Sequence, residues 1–242
     1  MSMKRPLVIL HGWNLSAAKF IPLSRELKKL GYRIYVPDLP GFGKNQKVEK
    51  PLNLSDYAIF VEAYLKKHKI SKAVIIGHSF GGRIALKMAA AKNGNLVALV
   101  LTGTPGFLPL PKIKVLFFML LAKIGGLFFS LPIINRLDRI MRKILYRTAG
   151  ASDFYHTKEN MRQTFKNIVR EELSPYLKKI NTPTLLLWGR DDGIVPLSVA
   201  FRMSKTISRV QLQIINEAKH GVPWTHPEEF SRHLDRFLKK YA

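Results

Sequence analysis

The 242-residue chain contains no cysteine. This absence excludes disulfides, thiolate metal sites and a cysteine nucleophile, and it fits a reducing compartment, so the expected location is the cytoplasm. Acidic residues are scarce: 16 Asp and Glu stand against 40 Lys and Arg, a formal charge of +24. So basic a chain attracts acidic proteins, anionic membrane or nucleic acid. No zinc knuckle, RNP-like aromatic motif or helix-turn-helix pattern accompanies the charge, and specific nucleic-acid recognition is not expected. Long apolar runs are missing too. The strongest candidate, Val115 to Phe129, is interrupted by Lys123 and by Gly125-Gly126, where a membrane span needs about 20 apolar residues. The opening run Leu7-Val-Ile-Leu10 stops at His11, too short for a signal peptide and without its small-residue cleavage site. There is no Gly-X-Gly-X-X-Gly, no complete P-loop and no His-Glu-X-X-His, so neither a nucleotide cofactor nor a metal is expected.

What is present is an alternation of β-branched runs with amphipathic stretches, the pattern of a parallel sheet with crossover helices. Strands are predicted at Leu7–Leu10, Arg33–Pro37, Ala73–Gly77, Val97–Leu101, Thr184–Trp188 and Gln211–Ile215, and helices near Pro22–Leu30, Ser55–His68, Gly82–Ala91, Leu197–Thr206 and Pro227–Tyr241. Ser55 with Asp56 reads as an N-cap, and Gly31 as a helix stop. Residues 105–179 break the rhythm with prolines, a glycine pair and no clear strand. They read as an inserted helical cap over a core built from 1–104 and 180–242. Within it, Arg136, Arg139, Arg142 and Lys143 line one face of a helical pattern, a candidate docking surface for an acidic protein or an anionic membrane.

Residues 75–82 read Ile-Ile-Gly-His-Ser-Phe-Gly-Gly. A Gly-X-Ser-X-Gly pentapeptide between a buried strand and a helix puts Ser79 on a tight turn that pushes its hydroxyl out of the sheet. A serine hydroxyl is a weak nucleophile and needs a base held by an acid. Later strand ends supply both. Gly189-Arg-Asp-Asp-Gly-Ile-Val-Pro196 follows one strand, and Asn216-Glu-Ala-Lys-His220-Gly follows the last.

With His11-Gly12-Trp13 and Asp38-Leu-Pro-Gly-Phe-Gly43 in place before them, these segments resemble the α/β-hydrolase superfamily over nearly the full length. The resemblance implies a mostly parallel sheet of about six strands, here lacking the usual N-terminal β-hairpin. It implies Ser79 as nucleophile, His220 as base and Asp192, three residues after Gly189, as acid. The backbone N–H groups of Trp13 and Phe80 would form the oxyanion hole. His11 would brace that loop and is also a candidate substrate-binding residue, with Phe117, Phe118, Leu121 and Trp224. His78 would pack rather than react. Lys219 stands where the family often has glycine, and a cation there would lower the base's pKa.

A serine at the elbow argues against the haloalkane dehalogenases and epoxide hydrolases of the superfamily, which use aspartate. The leading expectation is hydrolysis of a carboxylic ester with a hydrophobic acyl part. Lactones such as acyl-homoserine lactones, thioesters and C–C bonds of diketones are alternatives on the same triad, and a ligand-binding protein is the non-enzyme alternative. His11-Gly-Trp with Asp-Leu-Pro-Gly-Phe-Gly also resembles the esterases that act on pimeloyl-acyl carrier protein methyl ester, whose acidic carrier would suit a basic cap. An exposed strand at Arg33–Pro37 would favour a homodimer.

Overall fold

The computed structural model describes residues 4–91, 94–107 and 159–241. Six apolar runs form one parallel sheet: β1 (Leu7–Leu10), β2 (Ile34–Tyr35), β3 (Ala73–His78), β4 (Leu96–Thr102), β5 (Thr184–Gly189) and β6 (Val210–Ile215), in the order β2-β1-β3-β4-β5-β6. The central strands are buried on both faces, which is why they read as unbroken apolar runs rather than as alternating ones. Their side chains nonetheless divide with period two. Val8, Leu10, Ile75, Leu99, Leu101, Leu186 and Trp188 face one core layer, and Leu7, Ile9, Val74, Ile76, Val100, Leu185 and Leu187 face the other.

Helices fill both layers. Numbered among the described residues, they are α1 (Ile21–Lys29), α2 (Leu54–Lys67), α3 (Phe80–Ala90), α4 (Glu159–Arg170), α5 (Ser174–Leu177), α6 (Leu197–Ser204), α7 (Val222–Thr225) and α8 (Pro227–Tyr241). The first layer packs α2, α3, α4 and α6; the second packs α1 and α8 through Leu23, Leu27, Phe230 and Leu234. No described helix is long and apolar enough to cross a membrane.

Two local expectations change and a third holds. The cap of α2 is Asn53, not Ser55: its side chain accepts from Ser55 N (2.8 Å) and Asp56 N (3.1 Å), while Asp56 Oδ2 accepts from Asn53 N (2.8 Å). This reciprocal arrangement starts the helix two residues earlier than Ser55 alone implies. Strand β2 is two residues long, not five. Beyond Tyr35 the chain turns through Pro37, which has no N–H for a ladder, toward the anchored Asp38. Sheet edges therefore fall on this short strand and on the longer β6. Gly31 does end α1, with φ +82°, as the left-handed residue after a helix should.

Within the predicted cap, α4 is part of the core: Met161, Phe165 and Ile168 are buried. Asn160 and Asn167 donate to the carbonyls of Val48, Glu49 and Leu52, and Thr164 Oγ1 accepts from Leu52 N (2.8 Å). Phe117, Phe118, Leu121 and the basic face at Arg136, Arg139, Arg142 and Lys143 lie outside the described residues.

Candidate active site

The turn from β3 into α3 is built by close approach. A Cβ on Gly77 would stand 2.5 Å from Gly82 Cα, one on Gly81 would run into the Leu10 carbonyl, and one on Gly82 into Thr104 Oγ1. Glycine is required because backbone, not flexible side chain, occupies most of that space. Ser79 takes φ 52°, ψ −113°, a conformation costly for a residue with a side chain. The cost is held by the surrounding bonds: Ser79 N donates to Thr102 O (2.9 Å), and Ser79 O accepts from Gly82 N (3.0 Å). The serine stands at the N-terminus of α3, where backbone N–H groups and the helix dipole favour developing negative charge.

The other two loops converge on the same edge. Asp192 is almost fully buried. Its Oδ1 accepts from Ile194 N (2.9 Å) and Val195 N (2.8 Å), which leaves Oδ2 for His220 Nδ1 at 2.8 Å. Nδ1 of His220 donates, so Nε2 is left as the basic lone pair, the tautomer that a proton-abstracting imidazole needs. Asp191 is exposed, and its N–H donates to the Ala218 carbonyl. The buried indole of Trp188 donates to Val195 O (2.9 Å) and closes the acid loop. Gly189 lets this loop lie against the histidine loop, since a Cβ there would meet the Ala218 carbonyl.

Trp13 and Phe80 meet through their side chains, with ring centroids 5.5 Å apart, and both touch Phe42. Their backbone N–H groups take part in no backbone hydrogen bond among the described residues. His11 is fully buried; Nε2 accepts from Leu39 N (3.0 Å) and Nδ1 donates to Gly12 O (2.8 Å). Burial, opposed by that carbonyl, lowers its pKa. The ring has no polar atom left for a substrate, so its place is that of the expected brace and not of a substrate ligand. Trp224 packs on Phe20 (5.7 Å) and His78 (4.9 Å) in the α1/α8 layer. Lys219 is exposed.

One participant escaped the sequence reading, and another has a larger place than expected. Gly103, at φ +54°, lies beneath the base: a Cβ would fall 2.6 Å from His220 Cε1 and 3.3 Å from Asp192 Oδ2. The positive φ is invisible in sequence; the only available signal is a glycine directly after a strand. His78 packs as expected, but its position is particular. Its Nε2 donates to the His220 carbonyl (3.1 Å), and its ring lies 4.8 Å from the His220 ring. Its Nδ1 has no partner and sits where a Cβ on Gly12 would come within 2.8 Å. Burial, together with the neighbouring His220, holds its pKa well below the ordinary value. One neutral ring therefore touches the base loop and the oxyanion loop from the position next to Ser79. Among the described residues no three His, Asp or Glu side chains gather as a metal site would need.

The elbow, the paired Asp192 and His220 and the six-stranded order together match a known architecture: residues 5–227 fit the model of the α/β hydrolase fold family. The chain belongs to that family. It is 30% identical over 257 residues to a 2-hydroxy-6-oxononadienedioate/2-hydroxy-6-oxononatrienedioate hydrolase of Cupriavidus pinatubonensis, covering 96% of this chain and 86% of that protein. An uncharacterized hydrolase, YugF, of Bacillus subtilis is also 30% identical, over 98% of this chain and 90% of its own length. Among solved structures, an esterase from Exiguobacterium antarcticum superposes with TM-score 0.74 at 23% identity, over 99% of this chain and 93% of that one. At that identity the likeness is one of fold. This chain is a hydrolase-fold protein with the architecture of such enzymes, and hydrolase chemistry is the activity its relatives carry.

Proposed function

We propose that Ser79, His220 and Asp192 are the catalytic residues of a serine hydrolase, and that the bond cleaved is the C–C bond of a 2-hydroxy-6-oxo-dienoic acid. The observation that carries the catalytic part is the 2.8 Å bond between His220 Nδ1 and the buried Asp192 carboxylate. It leaves Nε2 to take the Ser79 proton as the hydroxyl attacks a carbonyl carbon. The Trp13 and Phe80 N–H groups then face the oxygen on which negative charge develops; removing one such donor typically costs roughly 10²–10³ in rate. A 2-hydroxy-6-oxo-dienoate first ketonises, its 2-hydroxyl proton moving to C5 to give the 2,6-dioxo-3-enoate in which C5 is tetrahedral. Collapse of the intermediate at C6 then breaks the C5–C6 bond, the electron pair delocalises through C3=C4 onto the 2-oxo oxygen, the imidazolium proton passes to that dienolate, and water then releases the acyl group from Ser79. Support for this substrate class comes from the near-full-length similarity to the Cupriavidus hydrolase.

Ester hydrolysis is the second reading, because the same three side chains and two N–H groups need nothing further to cleave an ester, a lactone or a thioester. One assay series separates the two. The purified protein is given 2-hydroxy-6-oxononadienedioate, followed by loss of its conjugated chromophore, and p-nitrophenyl esters of graded acyl length. The proposal expects kcat/KM for the dienoate to exceed that for any ester; the reverse order replaces it with the ester reading. Ser79→Ala should abolish both activities and labelling by a fluorophosphonate, and Asp192→Asn should lower kcat by about 10⁴. Full activity in Ser79→Ala would refute the catalytic assignment itself.

A further inference from the structure

Among the described residues, positive charge collects at one end of the fold. Six described segments lead into the six strands: residues 4–6, 30–33, 68–72, 94–95, 178–183 and 205–209. Together they contain nine Lys or Arg and no Asp or Glu. In a parallel sheet with crossover helices all of these segments, and the C-termini of the preceding helices, lie at one end of the molecule. Side-chain contacts between them agree. Lys4 Nζ reaches Leu30 O (2.7 Å) and Asp235 of α8 (3.1 Å), and Ser208 Oγ reaches Ile180 O (3.2 Å). Lysine pairs close α1, α2 and α8 at the same end. Of the acids near it, Glu26 and Asp235 are already bound by Lys29 and by Lys4 and Lys239, and Glu62 lies in the same hollow as Lys66 and Lys69. The opposite end is balanced: the segments after the strands carry Asp38, Glu49, Asp191, Asp192 and Glu217 against Lys44, Lys47, Lys50, Arg190 and Lys219. Among the described strand-connecting segments the positive surplus therefore lies at the end away from the candidate active site.

We infer that the end where the strands begin docks onto an anionic lipid bilayer and holds the catalytic edge toward the water. A flat partner fits better than a thread-like one. The cations come from separate segments spread across six strands, a breadth of about 24 Å, rather than from one groove or helix. They are mostly lysines, point charges suited to a diffuse field, rather than the arginine forks that clasp single phosphates. Among the described residues the exposed large apolar side chains, Ile21, Ile59 and Phe201, belong to none of these segments, so attachment is by charge without insertion. This surface shares no residue with the basic pattern at Arg136–Lys143, and the inference does not depend on which bond the enzyme cleaves.

The test is co-sedimentation of the full chain with phosphatidylcholine vesicles, with and without phosphatidylglycerol. Binding is expected only to the anionic vesicles, and it should fall steeply with added salt. Each lysine near such a surface contributes about fivefold to partitioning, so the triple variant Lys66→Glu, Lys67→Glu, Lys72→Glu should weaken it by about 10² or more. The matched variant Lys44→Glu, Lys47→Glu, Lys50→Glu, at the other end and with the same change in net charge, should bind nearly as the parent does. Hydrolysis of a soluble substrate should be unchanged in the first variant. Absence of binding at low salt, equal loss in both variants, or tighter binding to a polynucleotide than to vesicles at equal phosphate would each overturn the inference.

Discussion

Gly103 carries no functional group, yet its missing side chain is what lets the base and its acid sit where they do. Alanine there would combine a left-handed backbone, roughly 1–2 kcal/mol of strain, with a Cβ 2.6 Å from the His220 ring. Gly103→Ala should fold, as judged by circular dichroism, and lose activity by about 10² or more, since sub-ångström displacement of a reacting group is enough for that. Unaltered turnover would show that the contact constrains nothing. His78 permits a finer division. If its Nε2–H bond to the His220 carbonyl positions the base, His78→Gln, whose amide can still donate, should retain most of kcat. His78→Phe, which keeps the ring but not the donor, should lose about tenfold or more in kcat with little change in KM. Equal losses in the two would assign the residue to packing alone.

At the scale of elements, α3 does two jobs. Its N-terminus presents the elbow, and one turn later the buried Arg83 ties the helix to its neighbours. The guanidinium donates to Pro105 O (3.1 Å), Ile168 O (2.6 Å) and Glu171 O (2.7 Å). A cation at the C-terminus of α4 satisfies carbonyls that the helix itself cannot. Burial lowers its pKa to about 10 against the pull of Glu171 and Glu172, so it stays charged at neutral pH. Nearby, Lys87 meets Glu171 at 2.6 Å and adds a second tie. Arg83→Met would leave three carbonyls without their donor, and the expected loss is roughly 3 kcal/mol, read as a lower urea midpoint. Arg83→Lys, which keeps charge but not the fork, should lose less; equal losses would mean that the side-chain volume, not the donors, matters. The sequence shows an arginine flanked by glycines and apolar residues in a helix whose one other charge is Lys87, a sign that it is buried with partners, but it cannot name carbonyls such as Ile168 and Glu171, more than eighty positions away.

For the whole molecule the clearest pH effect concerns the loop anchors. Burial tends to raise Asp38, but the N–H groups of Ala17 (2.7 Å) and Lys44 (2.9 Å) outweigh it, and the carboxyl titrates below its ordinary value. Asp235 behaves likewise, its burial outweighed by Lys239, Lys4 and Tyr32. Groups whose folded pKa is depressed add stability above the unfolded pKa, about 4, and lose it as pH falls through the folded value. Thermal midpoints should therefore drop below about pH 4, and Asp235→Asn should flatten that dependence. A midpoint that stays constant into this acid range would refute it.

Much of the fold was legible because burial on both faces writes a strand into sequence as a plain apolar run. Leu7–Leu10 and the start of Thr184–Gly189 fall where the runs predict them. Boundaries set by hydrogen bonds rather than by burial were not legible, as Asn53 and the two-residue β2 show. The site divides in the same way. Order and spacing along the chain determined Ser79, Asp192 and His220 as candidates, because each follows a strand and all strands of a parallel sheet end on one side. Only the tertiary structure gave Gly103 and His78 their places beneath and beside His220, and gathered the cations of the strand-leading segments at the end away from the site. Those outcomes depend on backbone angles and on contacts between distant segments, which local sequence does not encode.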